Sequence, residues 1–396
     1  MRELFIILAA VLALSAEAKN EPFLTKVYDF MPAPGQFVNT LPEFNAGDTK
    51  ADVLARAAEY ICGYYDVEDG DSTMVYKPSM VSLGGFGGYV VVGFDHPVVN
   101  VKGDYDFQIF GNGFFATGSS AGGSSEPGIV MVSYDANGNG IPDDPWYELA
   151  GSEYNSPKTQ HNFTITYYKP DENKEKTPDP IVKPIIDNTY IRWTSNDVNP
   201  DSVSGYVYKN QYHSQSYWPQ WAEGETLTFT GTKLCNNAED KSGRGSYWVQ
   251  YCKDWGYVDN RTDYDPYSPR EDMDTAQMNR GFKIDWAVDA DGVPVHLPMV
   301  HFIKVYNAMN QYCGWLGETS TEVAGGIDFH PQAVAPQVLK GDADGNGTVD
   351  VSDVTMVINR ILGQKSAGYN PLGFDLDGNG AVDVSDVTSQ INVILQ

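Results

Sequence analysis

The chain reads as a mainly β protein: a jelly-roll or β-sandwich large domain followed by a small α-helical domain built on two acidic loops. Three observations point there. Short runs rich in β-branched and aromatic residues recur between residues 89 and 306, separated by Gly, Asn, Asp and Pro clusters. That is the pattern of many short strands joined by turns. A twelve-residue acidic segment then occurs twice, opening at Asp342 and again 33 residues later at Asp375. Between the two regions lies a short Pro-containing stretch, 331–340. The expected boundaries are therefore 1–18, 19–330, 331–340 and 341–396.

Residues 1–18 read as a signal peptide. Arg2 precedes the apolar run Leu4–Ala16, and Ala16-Glu17-Ala18 supplies a small-x-small cleavage site. The run is too short for a confident membrane span, and no other stretch is apolar enough to be one. No Cys follows the cleavage site, which argues against a lipid anchor. Export to the outside of the cell or its surface is expected. The net charge of −27, from 53 acidic and 26 basic residues, excludes nucleic-acid binding through a basic surface. Four cysteines, Cys62, Cys235, Cys252 and Cys313, allow three pairings. Cys235 with Cys252, on adjacent strand-like runs, is the favoured one, with buried free thiols as the alternative.

One helix is expected early, capped by Asp48 or Thr49, with Val53, Leu54, Ala57 and Ile61 on one stripe. Strands are expected at 89–92, 107–110, 129–133, 163–168, 226–230, 247–251, 282–288 and 300–306. Near 135 an acidic loop interrupts the pattern. Asp135, Asn137, Asn139 and Asp143 repeat a metal-binding spacing, and Ile141 would add its carbonyl. Position 12 is Trp146, so Asp144 or Glu148 would have to supply the missing ligand. Structural calcium and a plain Asn-Gly turn are both compatible with this segment. Asp289-Ala-Asp291-Gly292 reads only as a hairpin turn.

The C-terminal copies read Asp342-Ala-Asp344-Gly-Asn346-Gly-Thr348-Val-Asp350-Val351-Ser352-Asp353 and Asp375-Leu-Asp377-Gly-Asn379-Gly-Ala381-Val-Asp383-Val384-Ser385-Asp386. Oxygen side chains fall at positions 1, 3, 5, 9 and 12, Gly at 6, and position 7 offers a carbonyl. That is the spacing of an EF-hand loop, which surrounds calcium with about six to eight oxygens. Each loop leads into one helix-like run, with no convincing helix before it. Two calcium ions are expected here, with a third conceivable at Asp135. The region holds eight Asp, no Glu and only Arg360 and Lys365 as cations, so folding should be coupled to the metal. The duplicated loop-helix layout resembles a type I dockerin. The resemblance implies a cohesin-like partner, met through Val351-Ser352 and Val384-Ser385 at loop positions 10 and 11. Because both pairs are the same, docking in either of two orientations is implied.

In the large domain, Phe107-Gln-Ile-Phe110-Gly-Asn112-Gly, Ser125-Glu126-Pro127-Gly128, Trp146-Tyr-Glu148-Leu and Gly314-Trp315-Leu-Gly317-Glu318-Thr-Ser-Thr-Glu322 form a further pattern. It resembles exported, galactose-binding-like β-sandwich proteins of gut Bacteroidetes, some associated with cobalamin uptake. Carboxylates abound (Asp95, Asp106, Glu126, Glu148, Glu153, Asp285, Glu318), but no zinc-protease motif occurs. The histidines, His96, His161, His213, His296, His301 and His330, lack a chelating spacing. Aromatic residues in loop-like sequence, Trp218, Trp221, Trp255, Tyr257 and Trp315, are the expected ligand contacts, since rings beside amides and carboxylates suit sugar faces or a flat macrocycle. The sequence thus predicts a non-catalytic surface protein that binds a ligand, chiefly carbohydrate. The alternatives are a corrinoid-binding protein and a dockerin-bearing glycoside hydrolase.

Overall fold

A computed structural model describes residues 19–63, 65–66, 74–75, 79–115, 122–264, 266 and 278–396. The leader expected at 1–18 lies outside the described residues. Helix α1 is Lys50–Ile61. Thr49 caps it, and Asp52 reaches back to the Thr49 N–H at 2.8 Å, a capping box. The strands of the two largest sheets are β1 Lys26–Met31, β2 Tyr89–Gly93, β3 Gly128–Ser133, β4 Trp146–Leu149, β5 Gln160–Tyr168, β6 Ile185–Ser195, β7 Ser204–Asn210, β8 Thr226–Lys233, β9 Ala287–Val288 and β10 Phe302–Asn307. A six-stranded sheet runs β1-β2-β10-β3-β4-β9, and a four-stranded sheet runs β7-β6-β5-β8. Each neighbouring pair in them is antiparallel.

The six-stranded sheet is central because both of its faces are apolar. Successive side chains alternate between faces. Val90, Val92, Val130, Val132, Ile303 and Val305 enter one core with Val53, Ala57 and Ile61 of α1. Ile129 and Tyr306 point the other way, with Met131 packed beside them. On that second face the four-stranded sheet closes over, where Thr232 N donates to Tyr306 Oη at 2.9 Å and Phe86 packs edge-on against Phe163 at 4.7 Å. This is a sandwich with a third layer of helix and loops.

Several expectations change. The run 282–288 is a 3₁₀ turn, Ile284–Trp286, followed by a two-residue strand. Long strands β6 and β7 were not anticipated. No disulfide joins Cys235 to Cys252; Cys235 Sγ instead accepts from Lys253 Nζ at 3.0 Å.

Helices α2 Val351–Ile361 and α3 Val384–Ile394 follow the two loops. Their domain is not a free appendage. Ala343, Val357, Tyr369 and Phe374 belong to the same apolar cluster as Val295 and Leu297. Val295 forms a parallel bridge with Tyr369, His296 N donates to Tyr369 O at 2.8 Å, and Gly368 N to Pro294 O at 2.8 Å. Among the described residues no helix is long and apolar enough to cross a membrane.

Candidate functional site

The two C-terminal loops share one hydrogen-bonded scaffold. Asp342 accepts from Asn346 N at 3.0 Å and Gly347 N at 2.9 Å; Asp375 accepts from Asn379 N at 3.1 Å and Gly380 N at 2.8 Å. Asp344 and Asp377 accept from the same Asn N–H groups, at 3.0 and 3.1 Å. Asn346 and Asn379 accept from Thr348 N and Ala381 N, both at 2.8 Å. The bends need left-handed backbone, and Gly345, Gly347, Gly378 and Gly380 supply it with φ of 70°, 87°, 73° and 85°.

Loop and helix are joined by the last two acids. Asp350 and Asp383 cap α2 and α3, accepting from Ser352 N and Ser385 N at 2.7 Å. Asp353, fully buried, accepts from Ala343 N at 2.7 Å and Asp350 N at 2.7 Å. Asp386 does the same with Leu376 N at 2.8 Å and Asp383 N at 2.9 Å. The shorter arm of Asp at position 12 is thus long enough to reach back across the loop. Ligand oxygens of Asp342, Asp344 and Asp353 lie within 4.8 Å of one another, as do those of Asp375, Asp377 and Asp386. An oxygen-only set of this kind suits a hard cation such as calcium. The copies differ in setting. Asp342 is buried and Gly345 abuts the His296 ring, whereas Asp377 is exposed.

Of the expected partner contacts, Val351 and Val384 are open to solvent, 70% and 68% exposed. Ser352 and Ser385 are exposed too, but their hydroxyls are engaged, donating to Asp344 Oδ2 at 3.1 Å and Asp377 Oδ2 at 2.5 Å.

The loop between β3 and β4 adopts the same scaffold. Asp135 accepts from Asn139 N at 3.1 Å and Gly140 N at 2.9 Å. Asn137 accepts from Asn139 N at 2.9 Å, and Asn139 from Ile141 N at 2.7 Å. Asp144 Oδ2 accepts from Ala136 N at 3.2 Å, as Asp353 does from Ala343. Asp144 therefore stands where the position-12 acid stands elsewhere. Glu148 does not; it turns away to Thr232 Oγ1 at 2.7 Å and Tyr306 Oη at 3.4 Å. Asp143 instead accepts from the side-chain amides of Asn137 and Asn139, at 3.2 and 3.1 Å.

The expected aromatic platform is dispersed. Trp218 and Tyr257 are buried, 1% and 2% exposed, so neither offers a ring face. Trp221 is stacked between Phe30 and Phe44 at 5.8 and 6.0 Å. Trp255 and Trp315 do reach solvent, but each pairs with a different neighbour, Trp286 at 4.6 Å and Tyr212 at 6.2 Å.

Two features escaped sequence reasoning. The first is a cleft of about 590 Å³ between the sheets, lined by Trp146 and Glu148 of β4, His161 and Asn162 of β5, Thr230 and Thr232 of β8, Tyr154 and the Asp289–Gly292 turn. Burial pushes Glu148 up to about 7. The second is an acidic cluster. Asp259 and Glu322 are buried, and Glu126 shares a hydrogen bond with Glu322. Their ligand oxygens lie within 4.8 Å of one another. Loss of hydration pushes Glu126 up to about 7, with Glu318 adding to it, and also raises Asp259 and Glu322, on which the charge of Glu126 presses. Asn112 N donates to Asp259 at 2.8 Å, Glu322 N to Asp259 at 2.9 Å, and Ser320 N to Glu126 at 3.3 Å. Three of the sequence motifs noted above, 107–113, 125–128 and 314–322, therefore meet on these carboxyls. The signal was present in those motifs, but nothing in the sequence tied Asp259 to them.

A family model, the dockerin type I domain, matches residues 340–395. That span holds both loops and both of their helices, and leaves the β domain outside. Comparison with curated proteins gave no significant match.

Proposed function

We propose that the chain is an exported component which docks onto a cohesin through 341–396 in a calcium-dependent manner, and presents a non-catalytic, carbohydrate-binding β domain. The observation that carries the docking reading is a pair of matched exposed stripes. On α2 it comprises Val351, Thr355, Ile358 and Leu362; on α3, Val384, Thr388, Ile391 and Leu395. Ile358 and Ile391 are 40% and 42% exposed, Leu362 and Leu395 67% and 78%. Unpartnered apolar stripes on helices are protein-binding surfaces. The β domain grips α2 elsewhere, through Arg360, whose guanidinium lies 3.8 Å from Asp289, so both stripes stay open.

The full chain is expected to bind members of a cohesin panel in calcium and to release them on chelation. Ile358→Glu or Ile391→Glu alone leaves one stripe and costs about two-fold in Kd; the double variant loses binding. Failure to bind any cohesin in calcium would refute the docking reading, and complete loss in one single variant would refute the two orientations.

Calcium is proposed at both C-terminal loops, and a third ion at Asp135, Asn137, Asn139, Ile141 O and Asp144. The matching scaffold supports it. A second reading of the β domain, glycoside hydrolysis, is favoured by one observation: Glu148, raised to about 7, faces the same cleft as Asp289 and Asp291. Reducing-sugar release abolished by Glu148→Gln would establish it.

A further inference from the structure

We infer that the cleft between β4 and β5 is where the β domain takes its ligand, and that this ligand is a neutral glycan, one without carboxylate, sulfate or amino groups; the inference rests on the carbohydrate reading above.

The cleft has the size and lining of a small-molecule site. It encloses about 590 Å³, and it holds both an apolar ring and a set of convergent polar groups. Trp146 is half-buried on β4 and lines the cleft with its side chain. Opposite, Tyr154 and His161 pack ring on ring at 4.6 Å. Their geometry is fixed from behind: His161 bonds Tyr154 O at 3.1 Å and Thr232 Oγ1 at 3.2 Å. Aromatic faces with a fixed tilt suit the C–H faces of sugar rings. Asn162 projects from a left-handed backbone position, φ 54°, which an Asn tolerates better than most residues but which still carries strain. Such strain collects at binding sites, and here it sits on the cleft wall.

Charge decides the ligand class. No lysine or arginine is among the described residues that line the cleft, whereas Glu148, Asp289 and Asp291 all do. The two aspartates are already paired, Asp289 with Arg360 and Asp291 with Lys365, each at 3.8 Å, so the described lining holds no cation to meet a uronic or sulfated glycan, in a chain whose net charge is already −27. A cationic ligand is opposed by a different feature. Asp289, its side chain only 11% exposed, is already engaged: its carboxylate accepts from Tyr369 Oη at 2.8 Å and from Asp291 N and Val293 N, both at 2.9 Å, and Arg360 lies 3.8 Å away. Glu148 is likewise tied to Thr232 and Tyr306. Apart from Asp291, which is paired with Lys365, what is left lining the cleft is a set of amide, hydroxyl and imidazole groups, able both to donate and to accept. Sugar hydroxyls have the same dual character.

The test uses the full chain in calcium and calorimetric titration with neutral, uronic, sulfated and amino-sugar oligosaccharides. Trp146→Ala removes the ring. Ala290→Trp, at an exposed position on the rim, plugs the cleft without disturbing the core. Trp255→Ala is a control on an exposed indole outside the cleft lining. Neutral oligosaccharides should bind, Trp146→Ala and Ala290→Trp should each weaken them at least ten-fold, and Trp255→Ala should leave them unchanged. Neutral binding that neither cleft variant weakens would overturn the cleft while leaving the carbohydrate reading standing. Binding confined to charged oligosaccharides would overturn the ligand class. No binding by any sugar would overturn the carbohydrate reading and this inference with it.

Discussion

Glu126 sits where its own hydration is stripped away, and the charge of Glu318 adds to the effect. Its carboxyl is held up at about 7, against an ordinary 4.5. The folded protein therefore keeps a proton there that the unfolded chain releases. Between those two values the unfolded state binds fewer protons, so stability falls as pH rises. The contribution is whole below about 4.5 and gone above about 7. Glu126→Gln carries a permanently neutral group, so its melting temperature should fall less than that of the parent between about pH 5 and about pH 7.5, with calcium saturating. Parallel curves for the two proteins would show that the cluster does not titrate in this window. The same cluster shows where residue-level reading of the sequence stops. Glu126 was one carboxylate among many, and Asp259 lies far from it along the chain; only folding brings them together. Trp218 and Tyr257 failed for the opposite reason. Loop-like sequence suggested exposure, but in a large sandwich the loops themselves are layered, and these two rings fill the space beneath.

At the level of elements, a local spacing was sufficient for the acidic loops, because each ligand set is contained in twelve residues and one helix cap. Such a unit needs no distant partner to define it. The loop between β3 and β4 has the same backbone scaffold between strands instead of before a helix, and its closing acid has moved from position 12 to Asp144. Calcium stoichiometry by titration should therefore be three per chain, falling to two in Asp144→Ala. Two in the parent protein would remove the third ion. The strand pattern was legible where β-branched and aromatic residues run together, as in β2, β3 and β10. It was not legible in β6 and β7, whose polar and charged residues (Asp187, Asn188, Arg192 and Lys209 among them) dilute the apolar signal. Tertiary pairing overrides propensity there.

For the molecule as a whole, the two domains share an apolar core, so calcium at one end should be felt at the other. The sequence suggested a tether at 331–340; it could not show that Tyr369 would seat against Val295 and Asp289. All eight tryptophans lie in the β domain and none in 341–396, so indole fluorescence follows the β domain alone. Asp342→Ala with Asp375→Ala, in calcium, should lower the indole-monitored melting temperature by at least about 1–2 °C, the shift that ~1 kcal/mol produces in a domain of this size. An unchanged value would show that the domains melt independently. The junction also bears on how the protein carries load. If the chain is held through its C-terminal domain and the β domain carries a load, a pull acts between the two. That pull does not travel first along 331–340. It meets the short parallel bridge at Val295 and Tyr369, two backbone hydrogen bonds, and the ion pairs of Arg360 with Asp289 and Lys365 with Asp291. These contacts bypass the tether and lie in parallel with it, so under load they are expected to act as a fuse. They part first, pay out the slack of the connecting segment, and spare the sandwich from the initial jolt.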